Sequence, residues 1–255
     1  MRHRVLDSDY SSTDTNTADR TSAEHAHALA VCDAMIAAER LLHHETQRAL
    51  VATITMLADA VQAKDPYTHG HCEQVSLYAR LAAERLGLSD IDQRITCYAA
   101  LLHDVGKIGV SDGVLNKPGP LLSEERRLVE AHVRIGHDLL SSVPALRDVA
   151  SAVLYHHERY DGRGYPEGRS GDDIPIASRI VAVVDAYCAM VDERSYKASY
   201  TPERARAEVI SSSGTQFDPR IVPAVLSAIA EVDAAAEAGA MRAPPCTVLP
   251  PLRAG

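Results

Sequence analysis

Residues 90–110 read DIDQRITCYAALLHDVGKIGV. The pattern is helical to about Val105, opened by acidic residues that suit the positive end of a helix dipole. The apolar run CYAALL leads straight into His103-Asp104, and glycines follow at once. Apolar residues at helical spacing predict burial, so a histidine and an aspartate are carried to the buried end of a helix. A loop with Gly106, Gly109, Gly113, Pro118, Gly119 and Pro120 then runs to Ser123, which is expected to cap a helix with Glu124 and Glu125 in its first turn.

The same alternation of helical pattern and breaker extends in both directions. Asp65-Pro66 reads as an N-cap followed by proline at the first helical position, with a helix to about Leu86 and Gly87 as its stop. Helical pattern covers 123–142, with a break expected at Gly136, and 145–157. It returns at about 176–192, 202–212 and 219–238. Aromatic residues are 4% of the chain, there is no Trp, and the apolar mass is Ala, Leu, Val and Ile. This favours packed helices over sheets, whose strands draw on aromatics. The expected fold is all-α, a helical bundle with a lead-in helix.

Residues 1–22 are rich in Ser, Thr and Asp and are expected to be disordered. The segment 23–64 repeats Leu41, Leu42, Leu50, Ile54, Leu57, Ala58 and Val61 at three- and four-residue steps. Such a helix could pair with a second copy or a signalling partner; equally, it could pack on its own domain. The domain itself is expected over 65–239, and 240–255, with its prolines, as a flexible tail. A net charge of −9 argues against binding duplex DNA or RNA through a global basic face. Five scattered cysteines without CxxC spacing argue against a disulfide framework and fit reduced thiols in the cytosol. The start lacks the apolar core of a signal peptide. Residues 180–191, the most apolar helix, are too few to span a bilayer, so no membrane partner is expected.

Twelve histidines make any single one uninformative. His-Asp occurs twice, at His103-Asp104 and His137-Asp138, so the dipeptide alone says little. Agreement among helices says more. His71 starts one helix, His103-Asp104 ends the next, His132 lies within a third and His156-His157 close a fourth. Asp185 interrupts the apolar IVAVVDAYCAMV of a fifth. A buried ionised carboxylate is costly unless it is paired or bound to metal; a salt bridge or a cap would serve as well as a metal. Five histidines and two carboxylates suffice for two divalent ions sharing a bridging carboxylate. Imidazole with carboxylate suits iron or manganese, with zinc, nickel or magnesium as alternatives. Lys107 would reach a phosphate oxygen beside those ions, or simply complement a helix C-terminus.

Several ordered segments resemble the HD-GYP branch of the HD-domain phosphohydrolases: DPYTHGHCEQV (65–75), HDVGKIGV (103–110), VLNKPG (114–119), HHERYDGRGYPEG (156–168), IPIASRIVAVVDAY (174–187) and GTQFDP (214–219). The likeness covers about 64–230. It implies an HD-type helical domain with two, sometimes three, metal ions that hydrolyses cyclic di-GMP to linear pGpG and on to GMP. Its ligands would be His71, His103, Asp104, His132, His156, His157 and Asp185, with Asp104 bridging. Lys107 would stand by the scissile phosphate, Gly164, Tyr165 and Pro166 by the substrate, and Arg194 and Lys197 on phosphate or guanine. The implied chemistry is in-line attack by hydroxide stabilised between two cations. Three departures stand out. Tyr67 replaces the glutamate of trinuclear relatives, so two ions are expected; Ser195 replaces a common proline; Cys188 replaces a common aspartate. Hydrolysis of another cyclic dinucleotide or of a nucleoside phosphate, cyclic di-GMP reception without catalysis, and regulation by protein contact alone are the alternatives.

Overall fold

The computed structural model describes residue 29, most of 31–58, residues 70–192 and residues 199–237. Tyr67, Arg194, Ser195, Lys197 and both termini lie outside the described residues. The chain forms two compact units, Met1–Leu50 and Val51–Gly255. In the first, residues 31–42 are helical and exposed, Leu41 and Leu42 included. In the second, helical residues 52–54 and 56–58 bury Ile54 and Ala58.

From His71 onward the order is α1 (His71–Arg85), α2 (Asp90–Leu102), a 3-10 turn (Val105–Gly109), α3 (Asp112–Leu115), α4 (Ser123–Glu130), α5 (His132–Ser141), a 3-10 turn (Pro144–Leu146), α6 (Arg147–Leu154), a 3-10 turn (Gly171–Asp173), α7 (Ile176–Val191), α8 (Pro202–Ser211) and α9 (Val222–Glu237). No strand occurs among the described residues, only two isolated bridges. The all-α expectation holds. No described helix is long and apolar enough to cross a membrane.

Helix ends follow local chemistry. Ser89 Oγ accepts from the Asp92 N–H at 3.2 Å and opens α2. Gly87 (φ +67°) ends α1: its N–H reaches Glu84 O and the Leu88 N–H reaches Ala83 O, which satisfies carbonyls the helix leaves open. The central layer is α2 with α7. Residues 96–102 of α2 are all buried, as are Ile180, Val181, Val183 and Val184 of α7. Around them α1 packs on α2, α7 and α9, and α6 packs on α2, α5 and α7.

Several boundaries differ from the sequence reading; α1 begins at His71 after left-handed Gly70, and α6 ends at Leu154 rather than His157. Helix α2 stops at Leu102 rather than Val105, because the chain tightens into the 3-10 turn so that Gly106 can press against α5. Ser123 is the first helical residue and not the cap; Leu122 holds that place, its N–H bonded to Glu125 Oε2 at 2.7 Å. The break in 123–142 falls at Ala131, not Gly136. Gly136 stays inside α5, where an added Cβ would crowd Val153 at 3.1 Å and Val105 at 3.3 Å.

The motif GTQFDP proves to be an anchor. Tyr160 and Asp161 donate their N–H groups to Gln216 O and Thr215 O, tying this segment to the glycine-rich loop. Fully buried Asp218 accepts from Arg179 at 2.6 Å and from the Arg220 N–H at 2.9 Å, with two further bonds from the Arg220 guanidinium. Burial would raise its pKa, but these donors hold it below the ordinary carboxylate value. A depressed folded-state pKa gives stability that is complete above the unfolded value and is lost as pH falls through the folded one. Asp218→Asn is therefore expected to lower Tm at neutral pH, with a loss of roughly 3–5 kcal/mol of stability, and to flatten the loss of stability in acid. Thermal melts from pH 7 to pH 3 test this; parallel curves for both proteins would contradict it.

Candidate metal centre and glycine-rich loop

Four elements deliver histidines to one place. His103 caps α2, His132 opens α5, His156 and His157 follow α6, and His71 opens α1. His132 thus begins a helix rather than lying within one. His71, His103, His132 and His156 are buried. Two sets of ligand-type atoms result, each with its members within 4.8 Å of one another: His71, His103 and Asp185, and His132, His156 and His157.

Asp104 stands between the sets. One oxygen lies 3.3 Å from His103 Nε2 and the other 3.5 Å from His132 Nε2. Its backbone (φ −96°, ψ 5°) has left the helix, which turns its carboxylate away from that of an ordinary next helical residue. Lys107 Nζ is 2.7 Å from Asp104 Oδ2. The sequence reading brings these eight residues together by number, and the structure does so in space.

The ring orientations are fixed from behind. His103, His132 and His156 each direct Nδ1 at the backbone carbonyl three residues earlier, Ala100 at 2.7 Å, Val129 at 2.6 Å and Val153 at 2.7 Å. A carbonyl only accepts, so Nδ1 carries a proton, and in the neutral ring Nε2 keeps its lone pair. All three Nε2 atoms are buried without a hydrogen-bond partner. A buried orphan acceptor is unfavourable by itself. Three of them converging beside carboxylates fit a divalent cation.

The two sets differ in charge. Burial, followed by the neighbouring His157, pulls His156 well below its usual pKa; burial likewise lowers His132, and lowers His157 to about 4. These imidazoles are neutral, as ligation requires. Burial would also lower His71, but hydrogen bonds to Asp185 at 3.1 Å and Asp192 at 2.7 Å raise it to about 9. His103 is raised in the same sense, burial being outweighed chiefly by Asp104. Asp104 and Asp185 are both depressed: burial opposes this, and Lys107 and His103 for the one, His71 and His103 for the other, overcome it.

The glycine-rich loop is built tightly against this set. An added Cβ at Gly164 would fall 2.5 Å from Glu158 Cα and 2.6 Å from His157 O, so only glycine lets the strands of the loop approach so closely. The Tyr165 ring lies over His157, centroids 4.9 Å apart, and packs on Val133, Leu154, Tyr155 and Ile174. Buried Glu158 accepts the N–H groups of Glu167 and Gly168 at 2.8 and 2.9 Å, holding the loop just past Pro166. Sequence reasoning missed two acidic residues here, Glu158 and Asp192. Position seven after Asp185, two turns along one helix face, was the signal for Asp192; Glu158 had only its adjacency to the histidine pair.

An all-helical bundle with two clusters of candidate metal ligands and a carboxylate between them defines the class. The chain belongs to the HD-domain family, whose pattern matches residues 55–221, and its ordered motifs are those of the HD-GYP branch. It is 43% identical over 183 residues to the cyclic di-GMP phosphodiesterase response regulator RpfG of Xanthomonas campestris pv. campestris, covering 71% of this chain and 48% of that protein. It is 38% identical to the 3'3'-cGAMP-specific phosphodiesterase 3 of Vibrio cholerae, covering 71% and 39%. The chain thus spans about half or less of the length of these relatives. The crystal structure of a cyclic GMP-AMP specific phosphodiesterase of V. cholerae aligns with TM-score 0.57 and 22% identity over 81% of this chain and 56% of that one, a likeness of fold.

Proposed function

We propose that this chain is a metal-dependent phosphodiesterase of cyclic dinucleotides, with cyclic di-GMP as the first candidate substrate and linear pGpG, then GMP, as products. The observation that carries this is the trio of buried Nε2 lone pairs without partners, facing a carboxylate whose two oxygens reach both ligand sets. His71, His103 and Asp185 would hold one ion, His132, His156 and His157 the other, and Asp104 would bridge them. Two such ions, iron or manganese by the mixed imidazole and carboxylate set, would act as Lewis acids and lower the pKa of bound water.

The protein's own groups shape the rest. Lys107 Nζ stands 2.7 Å from Asp104 Oδ2, where its ammonium would stabilise charge growing on the phosphoryl oxygens. Tyr165 walls the second set, and Glu158 keeps that wall in place. Arg194 and Lys197 would orient the dinucleotide, by the resemblance. The names of the relatives support a cyclic dinucleotide over a nucleoside phosphate. A second reading, cyclic GMP-AMP as substrate, is favoured by the relatives named for that specificity.

The test is turnover of cyclic di-GMP, 3'3'-cyclic GMP-AMP and a nucleoside phosphate, side by side, by protein loaded with Fe(II) or Mn(II), with products resolved by chromatography. A linear dinucleotide is expected. Binding of cyclic di-GMP without turnover by fully metallated protein would replace the enzyme with a receptor.

A further inference from the structure

His71 is held differently from His103, His132 and His156. His103, His132 and His156 each rest Nδ1 on a carbonyl three residues back. His71 is the first residue of α1, and Gly70 before it is left-handed (φ 78°, ψ −18°), which separates it from any preceding helical turn. In place of a carbonyl, Asp192 Oδ2 meets His71 Nδ1 at 2.7 Å. Asp192 caps α7 seven residues after Asp185, so one helix addresses both ring nitrogens of His71: Asp185 at Nε2 and Asp192 at Nδ1. Between them sits Cys188, a buried thiol at the position where the family resemblance leads one to expect a carboxylate.

We propose that Asp192 is the positioning residue of His71, a carboxylate that fixes the proton on Nδ1 and turns Nε2 toward the ion shared with His103 and Asp185. The proposal rests on the metal-dependent reading above. A full negative charge behind the ring does more than a carbonyl: it orients the imidazole and strengthens its donation to a cation, and loss of such a partner weakens metal affinity by roughly 10–100-fold. The effect is confined to one set, because Asp192 meets only His71, while His132 and His156 of the other set rest on backbone carbonyls.

Calorimetric titration of the chelator-stripped full chain with Mn(II) tests this without reference to turnover. Wild type is expected to show two sites. In Asp192→Ala, one site should weaken by about 10–100-fold while the other keeps its affinity. Asp192→Asn keeps an acceptor for the Nδ1 proton and should lose clearly less than alanine. Asp192 is a quarter exposed at a helix end, so both variants should fold. An alanine variant that titrates like wild type, one that weakens both sites alike, or an asparagine variant no better than alanine would each overturn the proposal. Wild type binding no Mn(II) would instead remove the metal-dependent reading on which it stands.

Discussion

Replacing Asp104 by alanine is expected to release both metal ions and to cut turnover of the cyclic dinucleotide by about a thousandfold or more, roughly 4 kcal/mol or more of barrier. The size follows from position. The carboxylate is buried, faces His103 Nε2 at 3.3 Å with one oxygen and His132 Nε2 at 3.5 Å with the other, and so reaches both sets. Losing it leaves three imidazole lone pairs without the negative charge that draws a cation to them. It also leaves Lys107, 2.7 Å away, as a positive charge facing the same space. Lys107→Ala is the informative contrast. It removes that positive charge and no ligand, so metal content should stay near two per chain while turnover falls by about 100–1,000-fold, the scale of one lost electrostatic contact in the transition state. Elemental analysis and initial rates on the two variants separate the roles. An Asp104→Ala protein that retains two ions would sink the bridging assignment.

How much of this site could be read from letters depended on whether a residue's role was local. His103-Asp104 and His156-His157 were legible because each follows a helical apolar run and precedes glycines, a pattern without another evident use. Asp185 was legible because a charge in IVAVVDAYCAMV needs a reason. Asp192 was not: at a helix end beside Glu193 it looks like a solvated terminus, and its partner His71 is 121 positions away in the chain. The missing carboxylate at Cys188 was noticed as a loss, whereas the structure supplies one a turn further on. Asp218 was legible as part of a motif but not as an anchor, since it lies in a loop and its partner Arg179 comes from α7, 39 positions earlier. The helix boundaries failed for the same reason. The break at Ala131 and the early end of α2 are imposed by contact between two segments about thirty residues apart, and periodicity within either one carries no trace of it.

That contact carries the largest expected effect on stability. Gly106→Ala should abolish stable folding or cost more than about 4 kcal/mol, a fall in Tm of more than about 12 °C for a domain of this size. An added Cβ would overlap the carbonyl oxygen of His132 and come within 2.5 Å of the Gly136 backbone nitrogen and 2.8 Å of the His132 carbonyl carbon. These are backbone atoms at the start of α5, so no side-chain rotation relieves the clash; the whole helix must shift. Ordinary overpacking costs about 1–3 kcal/mol because side chains can yield, and here they cannot. The displaced helix begins with His132, so any folded fraction should also bind metal poorly at the His132, His156 and His157 set. Gly113→Ala is the control. It makes the same chemical change in the next helix, where an added Cβ meets nothing within 4 Å, and should leave Tm within a few degrees or raise it slightly. Melting curves for both variants, followed by circular dichroism, decide the matter. If the Gly106 variant melted like the Gly113 one, α5 would not be seated on the turn after His103-Asp104, and the two ligand sets would have no fixed spacing for Asp104 to bridge.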